Sequence, residues 1–369
     1  MTSAELDDAD VAAFQRFADD DPARGDHRHV FQQKIDNYFL NKQEFGQRVL
    51  ASTPIRLYLE ATYKCNLSCT HCNRSEADLK GRQTDARMEL YQQAARIVEN
   101  AIEVQMHGLG EPYLARNFSE QLAFIADRGA TPFACTNGQK LFPDKIRQLA
   151  ESSGSFAVSI DSLVEAHGEL LRPGMKVESV FRALDCAAQL RQEFPRLPMF
   201  VFSVSVKFFR DDWRPLFERL RAYAPLGWVV IPFEETGDAE FDQISLSLDE
   251  HRALVAEMQQ VTDGSGVDVL SGFANEAGNC YEPWSRAFIG SNGDVRPCCR
   301  APEDIVMGNL NDQPFDEIWN GEKYQDLRAT VNTPAAWPIC QDCKYRNFSA
   351  NYPPPPHLIQ WKLKRSGTP

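Results

Sequence analysis

Nothing in the 369 residues is apolar for long enough to cross a bilayer, so no membrane-spanning segment is expected. Residues 1–21 are acidic and polar and lack the basic start and apolar stretch of a secretory signal, which points to the cytoplasm. Positive charge is scarce as well. The 39 Lys and Arg against 52 Asp and Glu give a formal net charge of -13, whereas nucleic-acid affinity depends on clustered cations. The run Lys362-Leu363-Lys364-Arg365 reads as a solvated end. No internal repeat is present, and residues 1–54 carry little strand pattern. Neither a nucleic-acid partner nor a membrane is expected.

Cysteine, by contrast, is plentiful. Eight of the ten fall into two groups, and in a reducing compartment grouped cysteines are more often metal ligands or catalytic groups than disulfides. The first group is Cys65, Cys69 and Cys72, in Tyr63-Lys64-Cys65-Asn66-Leu67-Ser68-Cys69-Thr70-His71-Cys72, just after a strand-like segment. Three thiolates without a fourth beside them suit an iron-sulfur cube with one iron left open, because a cube needs a ligand for each of its irons. A zinc knuckle is the competing reading and wants a fourth Cys or His at short range. His71 is the nearest, but adjacent to Cys72 it is badly placed to share one tetrahedral ion.

Between residues 55 and 233 short apolar runs alternate with amphipathic stretches. The strand-like runs are 55–62, 102–107, 131–135, 155–160, 199–206 and 228–233. Helical spacing of apolar residues marks 84–100, 117–128 and 176–194. Such alternation predicts an α/β fold with a parallel sheet and right-handed crossovers, here a partial six-unit (β/α) barrel; a doubly wound sheet reads the same way. The cysteines follow the first strand, on the side where parallel folds place their chemistry, and this favours the barrel. Residues 1–54 read as an amino-terminal helical extension, with 30–45 its most ordered part. Residues 237–269 read as a connector with one helix capped by Ser247-Leu248-Asp249-Glu250. Residues 270–369 form a small carboxy-terminal α+β unit and tail, in which Tyr352-Pro353-Pro354-Pro355-Pro356 is an extended strap.

The C-x3-C-x2-C loop, with His71 before its last cysteine, resembles the cluster loop of radical S-adenosylmethionine enzymes. The resemblance implies a [4Fe-4S] cluster whose open iron chelates S-adenosylmethionine, and cleavage to a 5'-deoxyadenosyl radical that takes hydrogen from a substrate. After the second strand, His107-Gly108-Leu109-Gly110-Glu111-Pro112 is similar to the family's glycine-glycine-glutamate-proline element, departing from it at Leu109. Gly110, Glu111 and Pro112 are then expected to cradle the amino group of the methionine moiety; an ordinary turn is the alternative. At the strand ends, Ser159 becomes a candidate for the adenosine ribose and Asp161 for the ribose or substrate, unless Asp161 only caps a helix. Asn137 and Lys207 are further candidates at the barrel mouth. Arg172 is a candidate for the methionine carboxylate, a pairing that suits a guanidinium, or else a surface residue before a proline turn. Cys135 closes the third strand, where a thiol would return hydrogen to a substrate radical or lie buried under a helix. Cys186, inside a helical stretch, reads as a core residue.

The second group is Cys280, Cys298, Cys299, Cys340 and Cys343, with the hairpin dipeptide Asn292-Gly293 ahead of the vicinal pair. With Gly308-Asn309-Leu310 and Ile318-Trp319-Asn320 it resembles the SPASM-type extension of radical enzymes, in a shortened form. The resemblance implies one auxiliary [4Fe-4S] cluster on Cys280, Cys298, Cys340 and Cys343, with Cys299 left over; a zinc site on the same four is the alternative. It also implies a flavodoxin- or ferredoxin-type electron donor. The substrate expected first is a small molecule such as a sugar, aminocyclitol or nucleoside of specialised metabolism, with oxidation, epimerisation or elimination as the outcome. A ribosomally made peptide comes second, and a non-enzymatic redox or scaffold protein third.

Overall fold

The computed structural model describes residues 28–72, 74, 85–233, 239–271, 279–341 and 343. The proline strap and the basic end lie outside them. Ten strands are described: β1 Arg56–Leu59, β2 Glu103–Gln105, β3 Thr131–Thr136, β4 Ser155–Ser159, β5 Met199–Ser205, β6 Leu226–Pro232, β7 Val267–Ser271, β8 Arg286–Ile289, β9 Asp294–Arg296 and β10 Gly308–Asn309. They form one sheet in the order β10-β9-β8-β1-β2-β3-β4-β5-β6-β7.

The six strands expected from the sequence pair in parallel, each with the next. Parallel neighbours need a crossover, and helices supply it. The helix Val177–Leu190 shows why these segments wind: Val180, Phe181, Ala183, Leu184, Ala187 and Leu190 recur at three- and four-residue steps and are all buried. The stretch 84–100 differs from its expectation, because two short helices, Met88–Gln93 and Ala95–Asn100, meet at Ala94.

Strand side chains alternate between two environments, as a period of two requires. On β5, Met199 and Val201 join the large core under the helices, whereas Phe200 and Phe202 join a smaller inner cluster with Phe133, Ala157 and Val229. Each large apolar side chain so buried contributes roughly 1.5–3 kcal/mol. The inner cluster forms one wall of the barrel's interior.

The sheet continues past the six expected strands on both sides. β7 adds to β6 and β8 adds to β1, both in parallel. The carboxy-terminal unit therefore shares the barrel's sheet, and only β9 and β10 turn antiparallel. The connector helix is present as Leu248–Thr262, opened by a capping box in which Ser247 Oγ accepts from the Glu250 amide and Glu250 accepts from the Ser247 amide.

The helix Arg28–Gln43 packs at the amino ends of β1 and β2, where Ile35 and Tyr38 cluster with Ile55 and Ile102. Its buried Lys34 donates Nζ to the carbonyls of Val98, Glu99 and Ala101 at 3.0, 2.7 and 2.8 Å, closing the carboxyl end of Ala95–Asn100. The indoles of Trp284 and Trp319 donate to the carbonyls of Gln47 and Ser52, fixing residues 47–52 against the carboxy-terminal unit. Among the described residues no helix is long and apolar enough to cross a membrane.

Candidate active site

Beyond β1 the chain leaves the sheet and carries its three cysteines in a loop tied down at several points. The Thr70 amide donates to the Leu171 carbonyl at 3.1 Å, the Cys72 amide to the Cys69 carbonyl at 3.1 Å, and Arg74 Nη2 to the Leu67 carbonyl at 2.7 Å. Burial pushes the Cys65 thiol up to about 11, with the charge of Glu111 adding to it, and raises Cys72 as well. Thiols held up in this way keep their protons until a metal compensates the thiolate charge.

The glycine turn after β2 presses on the root of that loop. A Cβ on Gly110 would lie 2.0 Å from the Thr62 carbonyl oxygen, and one on Gly108 would lie 2.6 Å from Glu60 Oε1. Glu111 is buried at 4% exposure, with Oε1 accepting from the Tyr113 amide at 3.4 Å and Oε2 from the Asn137 amide at 2.7 Å. Its carboxyl thus caps the short 3-10 turn Pro112–Leu114 and joins it to the end of β3. Burial raises it to about 7, against opposing hydrogen bonds from Asn137, Thr136 and Tyr113.

A cavity of about 420 Å³ opens inside the barrel, and Cys65, Cys69, Cys72, His71, Gly110, Glu111, Cys135, Asn137, Ser159 and Arg172 all line it. No described residue before Arg56 does. Burial lowers His71 to about 3, with Arg172 adding to the effect, so the ring is neutral, and its Nδ1 is buried without a partner. Asn137 Nδ2 stands 3.8 Å from Cys65 Sγ. Cys135 Sγ lies 3.6 Å from Ser159 Oγ, and burial pushes that thiol up to about 12.

Three candidates stand elsewhere than the sequence implied. Asp161 is fully buried and does not line the cavity; its oxygens accept from Arg172 and from the Val204 amide at 2.8 Å. It caps no helix either, since the next helix has Val164 at its start. Lys207 faces away from the cavity and donates to the Gln243 carbonyl at 2.6 Å. Pro112 is buried in the turn and is absent from the cavity wall. Cys186 packs half-buried against the main core.

All five cysteines of the second group line the same cavity. Burial raises Cys280 and Cys298 well above the ordinary thiol range; Glu282 and Cys343 add to both, and Cys340 to Cys280. Burial raises Cys299 too; Arg286 opposes this and Glu282 adds to it, and the charge of Cys299 is in turn the first after burial to raise Cys298. The five thiols therefore share one neighbourhood, and Cys299 is the one that also stands near Tyr58 of β1. Among the described residues no three His, Cys, Asp or Glu side chains converge closely enough to hold a single ion. A cube takes one thiolate per iron, and four of these five cysteines would supply that set.

Sequence reasoning missed Glu60, Tyr63 and Asn332. Tyr63 Oη donates to Glu303 Oε1 at 2.6 Å, and Asn332 pairs with both backbone groups of Cys280 at 2.7 and 3.0 Å. No local pattern marks such residues, because their partners lie far along the chain.

Residues 59–215 match the radical SAM superfamily and residues 280–344 match the SPASM iron-sulfur cluster-binding domain. Two curated relatives cover most of the chain. The antilisterial bacteriocin subtilosin biosynthesis protein AlbA of Bacillus subtilis is 23% identical over 81% of this chain and 70% of its own. The AdoMet-dependent heme synthase of Methanosarcina barkeri is 22% identical over 82% of this chain and 94% of its own. In fold, the chain is similar to SuiB of Streptococcus suis bound to S-adenosylmethionine, with a TM-score of 0.64, 14% identity, and coverage of 93% of this chain and 82% of that one. SuiB bound to its precursor peptide SuiA gives the same TM-score, 0.64, over 88% of this chain and 74% of that one. The two matched domains bring a [4Fe-4S] cluster, S-adenosylmethionine and auxiliary iron-sulfur binding with them. The chain is an enzyme of the radical SAM superfamily whose partial barrel continues into a SPASM-type iron-sulfur domain.

Proposed function

We propose that this enzyme modifies a peptide by hydrogen abstraction at an unactivated carbon. The observation that carries the hydrogen abstraction is a cavity lined by both cysteine groups, with Phe133, Phe200 and Phe202 as an apolar part of its wall; the peptide rests on the relatives. In the proposal Cys65, Cys69 and Cys72 hold the [4Fe-4S] cluster that binds S-adenosylmethionine. Bound there, cluster and cofactor together supply a 5'-deoxyadenosyl radical by one-electron cleavage of the sulfonium. The chain's own task is to hold a substrate carbon against that radical and exclude water.

Gly110 packs its backbone against the Thr62 carbonyl at the root of the cysteine loop, and with Glu111 it lines the cavity, where the pair is assigned to the amino group of the methionine moiety. Ser159 offers a hydroxyl on the cavity wall for the adenosine ribose. Arg172 acts through Asp161 and Cys69 and stiffens the cysteine loop. Cys280, Cys298, Cys340 and Cys343 hold one auxiliary [4Fe-4S] cluster with no ligand position open, which suits electron transfer rather than binding of the cofactor. The protonated thiol of Cys135 is in the form that gives up a hydrogen atom. The electron for cleavage comes from a flavodoxin- or ferredoxin-type donor.

A small molecule stands first on the sequence alone. Likeness to AlbA, a bacteriocin biosynthesis protein, and to SuiB, seen with a precursor peptide, supports the peptide instead. The small molecule remains as the second reading, favoured by likeness to the AdoMet-dependent heme synthase. Peptide and metabolite fractions from cells grown on deuterated nutrients separate the two. Protease-sensitive transfer of deuterium from the peptide fraction into 5'-deoxyadenosine is expected. Transfer from the metabolite fraction alone would sink the peptide reading.

A further inference from the structure

We infer that Glu60 is a positioning residue that ties the glycine turn to the SPASM-type domain, so that docking of that domain sets the geometry with which the turn meets S-adenosylmethionine. The inference rests on assigning Gly110-Glu111-Pro112 to the cofactor.

Glu60 follows β1 and is 1% exposed. Its Oε1 accepts from the amides of Leu109 at 2.7 Å and Gly110 at 3.3 Å, both on the cavity wall. Its Oε2 accepts from the amide of Ser291 at 3.0 Å, in the turn that leads from β8 to β9. The Glu60 amide donates to the Ile289 carbonyl at 3.0 Å, so backbone and side chain grip the same hairpin. The turn has no slack against this side chain, because a Cβ on Gly108 would lie 2.6 Å from Glu60 Oε1 and 2.8 Å from the Phe288 ring of β8. Backbone donors from two domains thus converge on one carboxyl group, each oxygen serving one domain. Moving the hairpin moves Oε2, and the turn must follow through Oε1.

Glu60→Gln separates this role from general support. The amide keeps one acceptor but points an NH2 group at a backbone N–H on the other side, so one of the two segments is released. The iron-loaded variant is expected to keep wild-type iron content and to bind S-adenosylmethionine about tenfold more weakly by equilibrium dialysis. The change that S-adenosylmethionine causes in the electron paramagnetic resonance spectrum of the reduced cluster should be diminished in parallel. Wild-type affinity and spectrum in folded, iron-loaded Glu60→Gln would overturn the inference.

Hydrogen–deuterium exchange on the wild-type holoenzyme tests it without a variant. S-adenosylmethionine should protect residues 289–292 together with 107–112, and protection confined to 107–112 would overturn the link. Glu111→Gln separates the parent reading, since an alanine at Gly110 would collide with the Thr62 carbonyl and disturb the loop on its own account. If Glu111→Gln binds S-adenosylmethionine as wild type does, the turn is not the cofactor's cradle and the inference falls with it. If it binds weakly while Glu60→Gln does not, only the Glu60 link falls.

Discussion

Arg172 and Asp161 form a buried pair at the edge of the cavity, with Nε donating to Oδ2 at 2.5 Å and Nη2 to Oδ1 at 3.4 Å. The remaining nitrogen, Nη1, stands 3.9 Å from Cys69 Sγ. One guanidinium therefore joins the end of β4 to the cysteine loop. Removing it leaves Asp161 buried without its counter-charge, a change that costs about 3–5 kcal/mol. Arg172→Ala is expected to lose that much in urea denaturation of the iron-free protein. Because the residues touch, the double variant Arg172→Ala/Asp161→Ala should lose less than the sum of the two single losses.

The two cysteine groups predict a stoichiometry. Anaerobic reconstitution should give about eight irons per chain, two cubes' worth. Cys69→Ala should lose about half of them and all 5'-deoxyadenosine formation. Cys340→Ala should keep some cleavage and lose substrate turnover. Cys299→Ser should keep the full iron content, since Cys280, Cys298, Cys340 and Cys343 already supply one thiolate for each iron. About four irons in the wild type would remove one cluster from the account.

Glu111 predicts a pH dependence whose sign follows from burial. Its carboxyl is raised from the ordinary 4.5 to about 7 in the folded chain, so the folded state holds this proton more tightly than the unfolded state does. The resulting stability is fully present below about 4.5 and is lost as pH rises through about 7, for a total on the order of 3 kcal/mol. His71 and His107, both lowered to about 3 by burial, act in the opposite sense and weaken the fold as pH falls below 6.5. The Glu111 contribution is therefore read as the difference between wild type and Glu111→Gln in iron-free protein. That difference should shrink by about 3 kcal/mol between pH 4.5 and pH 7, and a flat difference would contradict the burial argument.

What the sequence disclosed and what it hid divide along the range of the interactions. The cysteine loop, the glycine turn, the capping box at Ser247 and the six inner strands are written in neighbouring residues, where spacing and periodicity are enough. β7 follows Gly264 and Gly266, both at positive φ, which mask it as loop. β8 pairs with β1 across most of the chain, and nothing near Arg286 announces that partner. The same distance hides Glu60, whereas Asp161 is hidden by its orientation, since its partner Arg172 is only eleven residues on. A short polar side chain at a strand end reads alike whether it faces a cavity or a buried guanidinium.

In the proposed function the cysteine loop and the glycine turn together bind and cleave S-adenosylmethionine. The iron-loaded enzyme, incubated without oxygen with S-adenosylmethionine and dithionite, tests it most directly by chromatography of the products. Wild type should give 5'-deoxyadenosine and methionine in equal amounts, and Cys69→Ala should give none. No 5'-deoxyadenosine from a fully iron-loaded wild type, or equal amounts from both proteins, would contradict that proposal.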